Sequence, residues 1–110
     1  MYSYYSIYND PRLNASRDAD SLREFLGNQP NLVVEGPNAY ANAEGIPFIK
    51  ISLLLTPGFD SWSLEEGFAI DVVNLIDIVA NPKDEPEEES VGELVYAIAD
   101  FLNWEVYREG

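Results

Sequence analysis

Six carboxylates crowd into the ten residues from Asp84 to Glu93, namely Asp84, Glu85, Glu87, Glu88, Glu89 and Glu93, and Asp77 stands just upstream. Such a group is open to three kinds of chemistry: ligation of a divalent metal, carboxylate acid–base catalysis, or electrostatic docking of a cation-bearing partner. Metal ligation has little to work with. Calcium takes about six to eight oxygens from a tightly turned loop, whereas no Asp-x-Asp-x-Asp-Gly run occurs here and Pro86 interrupts the acidic stretch. Weak, nonspecific divalent binding is the most it implies, and no cofactor is expected.

Catalysis by paired carboxylates would use neighbours such as Asp71 with Asp77 or Glu65 with Glu66, as a glycosidase does. Twenty acids spread over 110 residues produce pairs of this kind by chance. The chain has neither His nor Cys, so it lacks the usual proton shuttle near neutral pH and the thiolate nucleophile. No Gly-x-Gly-x-x-Gly or Gly-x-x-x-x-Gly-Lys phosphate cradle occurs. A protein that is not an enzyme is the expectation, with a carboxylate-based enzyme as the remote alternative.

Docking remains, and the charge distribution favours it. Residues 1 to 50 carry six acids and four bases, residues 51 to 110 fourteen acids and two bases, so −12 of the net −14 belongs to the second half. A field of this sign repels nucleic acid and anionic membrane and draws basic proteins toward it. Two or three acids at a helix start need no functional reason, because the helix macrodipole favours them by ~0.3 to 1 kcal/mol. Six exceed that need, and their mutual repulsion is a cost that a basic partner relieves. Asp77, Asp84, Glu85, Glu87, Glu88, Glu89 and Glu93 are therefore the candidate partner-binding residues, and the expected partner is a basic protein, with no direct nucleic-acid or membrane contact.

The elements that must position these residues follow from hydrophobic period. Tyr2 to Tyr8 alternates as a half-buried strand ended by Asp10-Pro11, so either Tyr2, Tyr4 and Tyr8 or Tyr5 and Ile7 face outward unless both sheet faces are covered. Leu22, Phe25 and Leu26 mark a helix over 18–27 with Asp18 as N-cap and Gly27 as stop. Leu32 to Glu35 is β-prone and closed by Gly36-Pro37, and the small, polar Asn38 to Gly45 reads as a loop. Phe48 to Leu55 is a core strand stopped by Thr56-Pro57-Gly58.

The stretch from Ser63 to Asn81 supports two readings. Ser63-Leu64-Glu65-Glu66 has capping-box spacing and favours a helix, whereas the β-branched residues between Ile70 and Val79, with Gly67, favour a strand over 68–80. The strand is preferred. Val91, Leu94, Val95, Ile98, Phe101 and Leu102 form one helical stripe preceded by the acidic run, with Pro86 in its first turn, and Trp104 to Tyr107 alternates as a terminal strand. The order β-α-β-β-β-α-β predicts a single α+β domain over 1–110, with two helices packed on one face of a mainly antiparallel sheet.

Composition suits this reading: 46% apolar and 13% aromatic residues are enough for a core at this length. The N-terminus has no signal-peptide pattern and no apolar run reaches the ~20 residues of a membrane helix. With no cysteine, a soluble, cytoplasmic protein is expected.

The stretch Asn74 to Ala80, the acidic turn after it, and Ile98-Ala99-Asp100-Phe101-Leu102-Asn103-Trp104-Glu105-Val106 together resemble the C-terminal part of small acidic bacterial immunity proteins that neutralise toxins. The resemblance covers about a third of the chain. It implies a toxin inhibitor whose acidic side chains meet the Lys and Arg of a basic toxin, a nuclease above all. It carries no residue-level roles. A phage-encoded DNA mimic that occupies the nucleic-acid channel of a bacterial defence complex is the competing binding function, and it calls for regularly spaced exposed carboxylates.

Overall fold

A computed structural model describes residues 2–43, 48–55 and 69–109. Alternating side chains build the first strand, β1 (Ser3–Tyr8), with Ser3, Tyr5 and Ile7 buried and Tyr4 exposed. A two-residue strand, β2 (Arg17–Asp18), leads into α1 (Ala19–Gly27). Asp18 caps this helix as expected, its carboxylate accepting from Ser21 N at 2.9 Å and Ser21 Oγ at 2.8 Å, which holds its pKa below the usual aspartate value. Gly27 is its last residue, and Asn28 closes it.

Two strands follow, β3 (Leu32–Gly36) and β4 (Ala39–Asn42). The second corrects the loop expected from Asn38 to Gly45, whose residues 44–47 lie outside the described ones. Ala39, Ala41 and Asn42 have little β preference of their own. Pairing on both sides, with β3 and with β5 (Phe48–Leu54), and the buried ring of Tyr40 impose the strand. The Ser63–Glu66 capping box, Thr56-Pro57-Gly58, Gly67 and Phe68 also lie outside the described residues. The part of 68–80 that is described is extended, as preferred, but in two pieces: β6 (Val72–Val73) and β7 (Leu75–Asn81).

Asn74 makes the break. Its N–H donates to Leu54 O at 3.0 Å and its buried amide donates to Leu13 O at 3.1 Å, which turns the chain from the small β2–β6 ladder into the main sheet. The acidic run then opens α2 (Glu85–Leu102), and β8 (Glu105–Glu109) ends the described chain, starting just after the buried Trp104.

The six-stranded sheet has the order β3-β4-β5-β7-β1-β8, and every ladder is antiparallel. The registers Tyr5↔Ile78, Ile78↔Ile51 and Ile51↔Tyr40 align one row of buried side chains, and Ile7↔Ile76 with Ile76↔Leu53 aligns the next. Leu22 and Leu26 of α1 and Val91, Val95, Ile98 and Leu102 of α2 join the same core. Both helices therefore cover one sheet face, and Phe25 stacks on Phe101 between them at 4.3 Å. The fold is α+β with the predicted layers; among the described residues five strands rather than three lie between the helices, because β4 is added and the expected 68–80 strand divides into β6 and β7.

On the opposite face lie Tyr4, Val79, Lys50 and Ala41 in one row and Tyr107, Ser6, Asp77, Ser52 and Ala39 in the next. Tyr8 and Tyr107 stack there at 4.1 Å, and Leu13 caps Leu54 and Leu75 at one end. Leu13 itself takes a positive φ of 57°. Of the two tyrosine sets, it is Tyr2 and Tyr4 that are exposed and Tyr5 that enters the core. No helix among the described residues is long and apolar enough to cross a membrane.

Candidate partner-docking site on the second helix

Three of the predicted acids already have partners within the fold, two of them in starting α2. Asp84 is its N-cap, accepting from Glu87 N at 2.9 Å, and Glu87 reaches back to accept from Lys83 N at 2.9 Å. This reciprocal arrangement satisfies donors that a helix start otherwise leaves open. Glu88 points toward β8, where Arg108 donates to its Oε1 at 3.1 Å. That bond, aided by the Tyr5 ring 5.3 Å below the guanidinium, holds the arginine pKa above its ordinary value.

Asp77 is not part of this group. It lies on β7 across from Ser6 and Ser52, on the sheet face turned away from both helices. The sequence places it a few residues before the acidic run, but strand alternation sends Ile76 and Ile78 to the helices and Asp77 the other way.

Glu85, Glu89 and Glu93 remain, and all three are exposed. At 100° per residue they share with Tyr96 and Asp100 an arc of about 80° on the solvent side, its centre about 140° around the helix from the buried stripe. The result is a ridge about 22 Å long, running nearly the whole helix, with Tyr96 59% exposed in its middle. Tyr96 and Asp100 were not singled out by sequence. Their signal was present, since they stand seven and eleven residues after Glu89, the spacing that repeats a helical face.

Electrostatically the ridge is uncompensated. None of the 18 residues of α2 is basic, and its last turn lacks the cation that a helix C-terminus favours. Arg17 supplies it from β2, donating from Nη1 to Leu102 O at 2.9 Å. Among the described residues the only ion pair that reaches α2 is Arg108 with Glu88, off the ridge. Like charges four apart, Glu85 with Glu89 and Glu89 with Glu93, each oppose the helix by about 0.2–0.5 kcal/mol.

Beside the ridge, a groove of about 370 Å³ opens between α2 and the turn from α1 to β3. Pro30, Leu32, Ile49, Val91, Leu94 and Ala97 give it apolar walls, and Glu93 stands among its lining residues. Compared with known proteins, the chain matches no family model, no curated protein and no solved structure. Its chemistry must therefore be read from its own surface. Neither this groove nor the shallow dish formed by Glu85, Pro86, Glu88 and Glu89 includes Asp71 or Asp77. Glu65 and Glu66 lie outside the described residues. Among those that are described, no three acids converge to hold a metal ion.

Proposed function

We propose that the protein is an inhibitor of the immunity type, which neutralises a basic toxin by docking the α2 ridge against it, a nuclease being the toxin class that best suits such a surface. The observation that carries this reading is the ridge of Glu85, Glu89, Glu93 and Asp100 around the exposed Tyr96, with no base on the helix. Repulsion along the ridge makes the free helix less stable than its packing allows, and cations from a partner remove that cost on binding. A central tyrosine flanked by charge is the composition of a binding hot spot, because the ring buries much area with few rotatable bonds. Charge complementarity of this kind speeds association, which suits an antidote that must meet its target quickly.

The DNA-mimic reading fits less well. One carboxylate per helical step of four gives a charge every ~6 Å in a single row, against a charge every ~1.7 Å of duplex DNA.

Antidotes are encoded beside their toxins, so the test begins with the product of the adjacent gene. That product is expected to be basic, to arrest growth when expressed alone, and to lose its toxicity when this chain is co-expressed. A neighbour that is harmless, or one whose toxicity this chain leaves unchanged, contradicts the reading.

A further inference from the structure

The two edges of the sheet are not alike. A sheet edge offers a row of unpaired N–H and C=O groups, and proteins blunt such edges with charge. The edge strand β8 follows this rule, carrying Glu105 and Arg108 in its five residues. The edge strand β3 does not. Among the described residues it pairs only with β4, and its outward-lying Val33 and Val34 are 49% and 68% exposed. Its one charged residue is Glu35, which sits at the bulge between Val34 and Gly36 where the ladder shifts register.

The open end of this edge adjoins the α2 groove. Asn31 and Pro30, immediately before β3, line the groove, whose other wall includes Leu94 and Glu93. Among the described residues Glu93 has no ion-pair partner. The edge, the groove and the acidic ridge thus meet at Glu93.

From this junction we infer that β3 and the α2 groove receive an extended strand of a basic partner by β-augmentation. The inference rests on the basic-partner reading above and adds how that partner attaches. Backbone hydrogen bonds to β3 supply affinity that does not depend on sequence, and alternate side chains set specificity. Alternate apolar residues of the added strand lie over Val33 on one sheet face and over Val34 on the other. A Lys or Arg at the strand's end lays its apolar stem along Pro30 and Leu94 and brings its charge to Glu93. Charge selects this occupant over a second copy of the chain, which would bring −14 against −14.

The test uses the full chain labelled with nitrogen-15 and a synthetic ten-residue peptide of alternating Val and Lys, with a Val and Glu peptide as control. The Lys peptide is expected to slow amide exchange at Val33 to Glu35 by at least about tenfold and to shift the amides of Glu93 and Leu94, while the Glu peptide does neither. Val34→Lys is expected to weaken the Lys peptide by roughly tenfold or more, and Val33→Lys, at the neighbouring exposed site, provides the same test should the first variant fold poorly. Glu93→Gln should weaken binding by a few-fold and flatten its salt dependence. Shifts confined to the ridge from Glu85 to Asp100, with β3 unmoved, overturn the inference and leave the basic-partner reading standing. Protection of β3 that grows with protein concentration and needs no peptide overturns the choice of occupant. A Lys peptide that binds neither place overturns both readings.

Discussion

The phenol of Tyr107 donates to Glu105 Oε2 at 2.8 Å on the sheet face away from the helices, and that single bond has a measurable consequence. Hydrogen bonding to the neutral phenol, together with the nearby carboxylate, raises its pKa above the ordinary 10.0, and burial does the same for Tyr40. A phenol whose folded pKa is raised is favoured in its protonated form by folding. The stability it contributes is fully present below pH ~10 and is lost as pH rises through the folded value. An absorbance titration should show Tyr107 and Tyr40 ionising above the ordinary phenol value, and Tyr107→Phe should remove one of these late ionisations. Unchanged late ionisation in Tyr107→Phe contradicts the assignment. The same local detail decides which acids are free to act. Glu87 and Glu88 look like Glu85 and Glu89 in sequence, yet they are held by Lys83 N and Arg108. Composition showed that the cluster exceeded what a helix start requires. Only side-chain partners, set by contacts 4 and 20 residues apart, show which members are the excess.

Among the elements, α1 and its neighbours depend on one guanidinium. Arg23 donates from Nε to Pro37 O at 3.0 Å, from Nη2 to Asn38 Oδ1 at 3.0 Å and to Ile70 O at 2.8 Å, and from Nη1 to Asp20 at 2.9 Å. Asn38 in turn accepts from Ile70 N at 3.0 Å. The arginine thus ties the helix to the β3–β4 turn and to the chain entering β6. Arg23→Ala should lower the urea midpoint with little change in slope, by about 1–3 kcal/mol, whereas Arg12→Ala, on an exposed side chain, should stay within about 0.5 kcal/mol. Equal effects would contradict the linking role. β1, α1 and α2 were legible because each buries one face and so writes its period into the sequence, and β5 because its apolar run, buried on both faces from Ile51 to Leu54, is followed by Thr56-Pro57-Gly58. The pattern was silent for Ala39–Asn42, whose strand is imposed by neighbours, and for Asn74, whose break depends on Leu13 and Leu54 far away in sequence. The β3 edge was equally hidden. Leu32 to Glu35 reads the same whether the strand is central or at an edge, and only the sheet order distinguishes the two.

For the whole molecule, the placement of four of the six bases explains why the acidity is not balanced. Arg17 serves the C-terminus of α2, Arg23 its four acceptors, Arg108 Glu88, and Lys50 approaches Glu35 at 4.0 Å on the far sheet face. The fold uses these four cations for construction and leaves the solvent side of α2 to carboxylates. If that surface is the docking site, the position of a charge matters more than its number. The most direct measurement compares two double variants that each remove two negative charges: Glu85→Gln with Glu89→Gln on the ridge, and Glu24→Gln with Asp71→Asn at exposed sites elsewhere. Affinity for the adjacent gene's product would be followed across a salt series. The ridge pair should weaken binding by roughly tenfold at low salt and flatten the dependence of affinity on salt, while the control pair stays within about twofold of the unaltered protein. Equal losses from the two pairs, or binding indifferent to salt in all three proteins, would contradict docking through the ridge.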